Sequence, residues 1–165
     1  MIAIDAARGT KKWELSLATQ NSGSQPNPTV VNGIVYVGTG TRLIAADANT
    51  GTIKWSYTPD SPMDLSNPAV VDNVLYTSSR SYVYAFDAGT GTRKWFTRIS
   101  TRIDDWGSSP TVSNGNVYIY SYLGYAMAFD AATGAKKWEY RTDVKGIMAP
   151  FVNNGLLYAA NAVID

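Results

Sequence analysis

The sequence predicts an all-β chain built from one four-stranded antiparallel unit used four times, and three observations carry that prediction. The stretch FDAGTGTRKW from Phe86 has near-copies as IDAARGTKKW from Ile4, ADANTGTIKW from Ala46 and FDAATGAKKW from Phe129. The copies are evenly spaced. Asp5, Asp47, Asp87 and Asp130 are separated by 42, 40 and 43 residues, and Trp13, Trp55, Trp95 and Trp138 keep the same intervals, as do Gly9, Gly51, Gly91 and Gly134. A second series, Pro28, Pro68, Pro110 and Pro150, is followed eight residues later by Tyr36, Tyr76, Tyr118 and Tyr158. Self-similarity at a fixed period of this length marks one supersecondary unit used repeatedly.

The four strands of the unit follow in order along PTVVNGIVYVGTGTRLIAADANTGTIKWSY. TVV and IVYV flank an Asn-Gly pair, the two-residue hairpin turn in which both positions take positive φ. RLIAAD is the third strand. Its aspartate opens a turn, where a carboxylate accepts backbone N–H groups, and the glycine four residues later supplies a left-handed conformation. KWSYT is the fourth strand, with Trp55 and Tyr57 directed inward and Lys54 and Ser56 outward. Lys12, Lys54, Lys94 and Lys137 fall on this outermost strand, where lysine discourages edge-to-edge pairing. No helical period survives in any repeat. Four-stranded units of 40 to 43 residues are blades of a β-propeller.

Residues 1–165 therefore form a single propeller domain or a half-propeller of four repeats. The chain starts inside a third strand and stops just after a second one, so LLYAANAVID and MIAIDAARGTKKW together make one blade split between the termini. Strand edges need pairing, and this blade is expected to be completed by strands. Two closures are open: four blades in one chain, or a two-fold dimer forming an eight-bladed ring.

Composition narrows the chemistry. A hydrophobic fraction of 45% suits a globular chain, and the charged fraction of 16% is low against about 25% in ordinary domains. Fourteen cations and thirteen anions leave a net charge of +1, which gives no broad field for nucleic acid. The absence of cysteine and histidine removes disulfides, thiolate nucleophiles, Ser-His triads and the usual zinc sets. No run approaches the roughly 20 apolar residues of a membrane helix, and MIAIDAARGTKKW lacks a signal-peptide pattern.

The pattern SxPxVxxGxVYV…AxDAxTGxxxW closely resembles the pyrroloquinoline-quinone-type (PQQ-like) propeller repeat with its tryptophan-docking motif. The resemblance covers essentially the whole chain. It implies that each tryptophan packs on the neighbouring blade, over the region of the small residues Ala3, Ala45, Ala85 and Ala128. Arg8 in place of threonine and Asn73 in place of glycine are departures within a scaffold. The resemblance also implies a periplasmic or extracellular setting. Quinone-dependent dehydrogenases that share the repeat carry calcium ligands, a catalytic aspartate and usually an adjacent cysteine pair. This chain has no cysteine, and the calcium ligands cannot be placed on its motif, so the expectation is no catalytic residue, no cofactor and no metal site.

Other motifs reduce to the repeat. DANTG from Asp47 starts like a calcium loop but lacks the later glutamate, and VGTGTR from Val37 is not followed by a helix that binds phosphate. The non-repeated residues differ. Connections between second and third strands and the loops between blades share one face, which carries Arg42, Asp64, Arg80 and Tyr82, together with the candidate partner-binding residues Asp104, Asp105, Trp106, Tyr122 and Tyr125. An aromatic among polar groups suits a protein, peptide or glycan partner; equally, Trp106 plugs a blade junction. Three functions follow: a non-enzymatic scaffold or interaction module, forming a homodimeric eight-bladed ring through its termini; the propeller portion of a quinone-dependent oxidoreductase; or a structural subunit of a higher-order assembly or filament.

Overall fold

Two kinds of turn alternate along the chain and fold it into blades. The first is the two-residue hairpin, with Asn32 at φ 50° and Gly33 at 73°, repeated at Asn114–Gly115 and Asn154–Gly155. At the second hairpin Asp72 and Asn73 take the same left-handed conformation, at 49° and 60°, which is why asparagine replaces glycine there without breaking the turn. The second kind is anchored by the repeated aspartate. Oδ1 of Asp87 accepts the N–H groups of Gly89 and Thr90 at 3.0 and 2.9 Å, and Asp5, Asp47 and Asp130 do the same in their own turns.

The computed structural model describes residues 1–17, 27–39, 42–58, 65–102 and 105–159. Among them are sixteen strands and no helix. A first pair, β1 (Ile2–Ile4) and β2 (Lys11–Glu14), is followed by three complete blades. Blade 1 is β3 (Thr29–Val31), β4 (Ile34–Gly38), β5 (Leu43–Asp47) and β6 (Ile53–Tyr57). Blade 2 is β7 (Ala69–Val71), β8 (Val74–Ser78), β9 (Tyr82–Asp87) and β10 (Arg93–Arg98). Blade 3 is β11 (Thr111–Ser113), β12 (Asn116–Tyr120), β13 (Tyr125–Asp130) and β14 (Lys136–Arg141). A last pair comprises β15 (Phe151–Asn153) and β16 (Leu156–Tyr158). Within each blade, neighbours in sequence pair antiparallel, and the first strands β3, β7, β11 and β15 lie side by side in that order.

The core lies between blades, because each blade is covered on both faces. Along β9, Tyr84 and Phe86 face blade 1 with Tyr36, Leu43 and Leu75, while Val83 and Ala85 face blade 3 with Val117, Met127 and Phe129. Strands β5, β9 and β13 are therefore apolar on both sides instead of alternating. The fourth strands β6 and β10 alternate half-buried and exposed positions, since only one side meets a neighbour.

The outer strand of every unit carries a bulge. The register against the third strand slips once in every unit, immediately beside the alanine that faces its own blade's tryptophan (Ala3↔Trp13, Ala45↔Trp55, Ala85↔Trp95, Ala128↔Trp138). The residue left over in each bulge is the repeated lysine. A bulge re-aims a side chain, and here it carries Lys12, Lys54 and Lys137 to within 4.0, 3.8 and 3.1 Å of Oδ2 of the turn aspartate. The lysines thus brace the turn as well as guarding an edge.

The two terminal pairs each form half a blade, and among the described residues no ladder joins them. Among those residues the outer edges of β1 and β16 have no partner strand. Their side chains retain the pattern of complete blades without its burial. Ile4 is 60% exposed, whereas its counterparts Ala46, Phe86 and Phe129 are at most 1% exposed.

Candidate interaction face and blade junctions

The candidate face is built from the turns between second and third strands and the segments linking blades. Ser78, Ser79, Ser108 and Ser121 are buried beneath it. Ser78 Oγ donates to the carbonyl oxygens of Ser108 at 2.6 Å and Gly107 at 3.1 Å, and the Tyr120 N–H donates to Ser108 Oγ at 3.0 Å. Ser66 performs the same task one blade earlier, accepting from the Ser78 N–H at 3.0 Å. The serines of the SxP motif therefore pin the link between blades to the end of the second strand, a role signalled in the sequence by their position two residues before Pro68 and Pro110.

On this foundation the structure brings Trp106 and Tyr122 together. The Tyr122 N–H donates to the Trp106 carbonyl at 2.8 Å, and Gly107 bridges to Ser121. Both aromatic side chains are exposed, and the guanidinium of Arg80 lies 4.7 Å above the Trp106 ring. Stacking of this kind holds an indole in place at an exposed site. Trp106 is thus a surface residue and does not fill the junction. Tyr125 sits apart, half-buried with the Arg141 guanidinium 5.9 Å from its ring. It lines an open cleft of about 500 Å³ with Arg98, Arg102, Lys136 and Glu139.

Asp105 lies deeper than its neighbour Trp106. It is 2% exposed, and its Oδ1 accepts the Leu123 N–H at 3.0 Å. This bond holds the β12–β13 turn, and Asp105 lies in the wall of the same cleft as Tyr125. Asp104 and Asp64 lie outside the described residues.

The junctions between blades follow one rule. Trp13, Trp55 and Trp95 each lie over the glycine of the next blade's aspartate turn. The indole Nε1 donates to the carbonyl of the alanine that follows the aspartate: Trp13 to Ala48 at 3.0 Å, Trp55 to Ala88 at 2.9 Å, Trp95 to Ala131 at 3.0 Å. A Cβ added at Gly51, Gly91 or Gly134 would lie 2.6–2.7 Å from the ring, so glycine is needed there for space as well as for its φ of 74°. The docking surface is accordingly this glycine turn. Ala45, Ala85 and Ala128 lie opposite the tryptophan of their own blade, one contact away from where the resemblance placed them. The tyrosines of the second series add a second donor to the same carbonyls, with Tyr36 Oη to Ala88 and Tyr76 Oη to Ala131, both at 3.2 Å.

The turn aspartates carry the resolved carboxylate shifts. Two backbone N–H groups hold Asp47 below its ordinary pKa, and the backbone and hydroxyl of Thr90 do so for Asp87. Asp130 falls to about 2, first through its bond from Lys137 and then through Thr133. These shifts come from turn bonding, which is structural.

The sequence pattern of the family described as "Outer membrane protein assembly factor BamB" matches residues 1–100 and again residues 79–163. The chain belongs to this family of PQQ-like propeller repeats. Its fold is similar to the crystal structure of BamB from Moraxella catarrhalis, with 24% identity and a TM-score of 0.69 over 85% of this chain and 46% of that one. It is also similar to the computationally designed Ika4 protein, with 14% identity and a TM-score of 0.67 over 85% of this chain and 87% of that one. Both likenesses concern the fold alone. The dehydrogenase subunit of a quinone alcohol dehydrogenase from Gluconobacter oxydans (strain 621H) is 38% identical over 55 residues, 33% of this chain and 7% of that protein. The chain thus spans less than half the length of the BamB structure and a small part of the dehydrogenase subunit.

Among the described residues no three acidic side chains converge on a point where a cation would sit, and the repeated aspartates spend Oδ1 on their own turns. Among the same residues, no helix is long and apolar enough to cross a membrane.

Proposed function

We propose that this chain is a non-enzymatic propeller module that works through protein contacts, and that two copies complete an eight-bladed ring. The observation that carries the proposal is the contrast between half-blades and whole blades. Ile2, Ile4, Leu156 and Tyr158 are exposed on β1 and β16, in the pattern that complete blades bury. Pairing β16 of one copy with β1 of another, in the register of β4 with β5, places Leu157 opposite Ile4 and Tyr158 opposite Ala3, just as Val35 faces Ala46 and Tyr36 faces Ala45. Eight blades also suit the docking motif, since each then turns through about half the angle that four blades require. Size-exclusion light scattering tests the ring: a species of twice the chain mass is expected. A monomer, or a fibre seen by electron microscopy, contradicts it.

The same ring presents the Trp106–Tyr122 surface twice, with Arg80 over the indole, and a polypeptide partner is the reading it supports. The family's description as an outer membrane assembly factor supports a scaffold role and a place in the cell envelope. Exposed aromatics on loops above a rigid scaffold are free to recognise a partner, whereas the repeated residues are committed to turns and junctions. Capture of a partner that survives Trp106→Ala with Tyr122→Ala, in folded and assembled protein, sinks this surface.

A second reading, the propeller portion of a quinone-dependent oxidoreductase, draws support from the 55-residue match to the dehydrogenase subunit. Adding the quinone with calcium and following dye reduction separates the two readings. Turnover favours the second.

A further inference from the structure

The junction rule has four instances by sequence and three within the chain. Trp13, Trp55 and Trp95 each dock on a glycine turn, at Gly51, Gly91 and Gly134. The fourth tryptophan, Trp138, is 42% exposed and makes no counterpart bond among the described residues. The fourth glycine, Gly9, has nothing within 4 Å of where a Cβ would stand. The surrounding residues tell the same story. Tyr57 packs its ring 4.8 Å from Phe86 of the next blade. Its counterpart Tyr140 is 67% exposed, and Ile4, the counterpart of Phe86, is exposed too. All of β14 is exposed, where β6 and β10 half-bury alternate residues from their tryptophans onward. Among the described residues Ala48 accepts from Trp13 alone, while Ala88 and Ala131 each accept from a tryptophan and a tyrosine.

We infer that Trp138 and the Asp5–Gly9 turn are two halves of an intermolecular latch, and that the occupant of each is a second copy of this chain. The inference rests on the ring reading and names the contact that selects the partner. Trp138 of one copy lies over Gly9 of the other, its Nε1 donating to the Ala6 carbonyl, and Tyr140 covers Ile4. Tyr158 of the first copy supplies the second donor that Ala48 lacks. A second copy is the fitting occupant because this chain already holds both halves in the required chemistry, three times over. The two-fold ring then contains the latch twice, once in each direction.

The pair can be broken from either side without touching the core. Trp138→Ala removes an exposed ring. Gly9→Asn keeps the turn, because asparagine already takes the same left-handed region at Asn32 and Asn114, but its Cβ occupies the space that a docked indole needs. Each variant alone has both latches broken, and its self-association, measured by native mass spectrometry across a dilution series, is expected to weaken at least about tenfold, the scale of one buried aromatic anchor. Mixing the two variants, one isotopically labelled, gives a heterodimer in which one latch pairs an intact Trp138 with an intact Gly9. That heterodimer is expected to outcompete either homodimer. A wild-type chain that is anything but a dimer overturns the ring itself. A wild-type dimer with both variants equally tight overturns the latch and leaves the ring. Two weakened variants that do not rescue each other show that they act separately, which also overturns the latch.

Discussion

Trp95 and Trp138 occupy the same position in near-identical motifs, FDAGTGTRKW and FDAATGAKKW, yet one is docked on the next blade and the other touches only its own blade's Tyr118 among the described residues. The tryptophan makes no use of its own turn. Its energetic value comes from the next blade's glycine and carbonyl, so a motif that looks local is half of a contact between units. Repeat architectures behave this way generally, with stability divided between the unit and its nearest-neighbour interface. The comparison teaches that a propeller blade is finished only by the blade that follows.

The largest expected difference follows directly. Trp95→Ala removes a packed indole and its hydrogen bond to Ala131, and should cost about 3–5 kcal/mol, as large-to-small changes at packed aromatic sites do. Trp138→Ala, measured on dissociated chains, should cost less than about 1 kcal/mol, as surface changes do. Urea unfolding of both variants checks the contrast. Equal costs would show that Trp138 is held by its own blade after all.

A smaller contrast lies on the receiving side. Gly91→Ala combines left-handed strain with a Cβ only 2.6 Å from the Trp55 ring, and overpacking of this kind costs about 1–3 kcal/mol beyond the strain. Gly9→Ala meets only the strain, about 1–2 kcal/mol, because its surroundings are open. Thermal melts at chain concentrations too low for association should order the two variants that way.

The blades were legible in the sequence because their determinants are local and repeated. The Asn-Gly pair, the Asp-to-Gly turn and the alternation around Trp55 each declare themselves within a few residues. The bulged lysine was not legible, since a one-residue slip between strands leaves no mark in either strand alone. Nor was the fate of Asp105. Beside Trp106 it reads as a solvated acid, and only the return of the chain at Leu123 shows that it is buried and bonded to a turn. The docking partner was misplaced by a few residues for the same reason: both Ala85 and Gly91 are small, and which one meets a neighbour's indole depends on how blades stack.

Repeated and unrepeated tryptophans should differ as well. Trp106 is held by Arg80 over its face and by main-chain bonds that any residue would make. Trp106→Ala should therefore cost less than about 1 kcal/mol, well below Trp95→Ala. A cost comparable to Trp95→Ala would return Trp106 to the junction and remove the best candidate for partner recognition.

The smallest effect concerns the turns themselves, and it compares Asp130 with its neutral replacement. Lys137 and Thr133 hold Asp130 at about 2 in the folded chain, below the roughly 3.9 of an unfolded aspartate. A folded-state pKa below the unfolded one means that the unfolded chain binds the proton more readily as the solution is acidified. The stabilisation is therefore fully present above about pH 4 and is lost as pH falls toward 2. Asp47 and Asp87 act in the same direction, so the wild type should lose stability through this window in a graded way. In Asp130→Asn the amide oxygen still accepts from the turn, but the charge facing Lys137 is gone. Its stability should be lower than wild type at neutral pH and should fall less steeply between pH 4 and 2, read from urea midpoints across that range. Parallel curves for the two proteins would mean that the carboxylate charge adds nothing to the turn beyond its hydrogen bonds, and that the bulged lysine serves only to guard the outer edge of the blade.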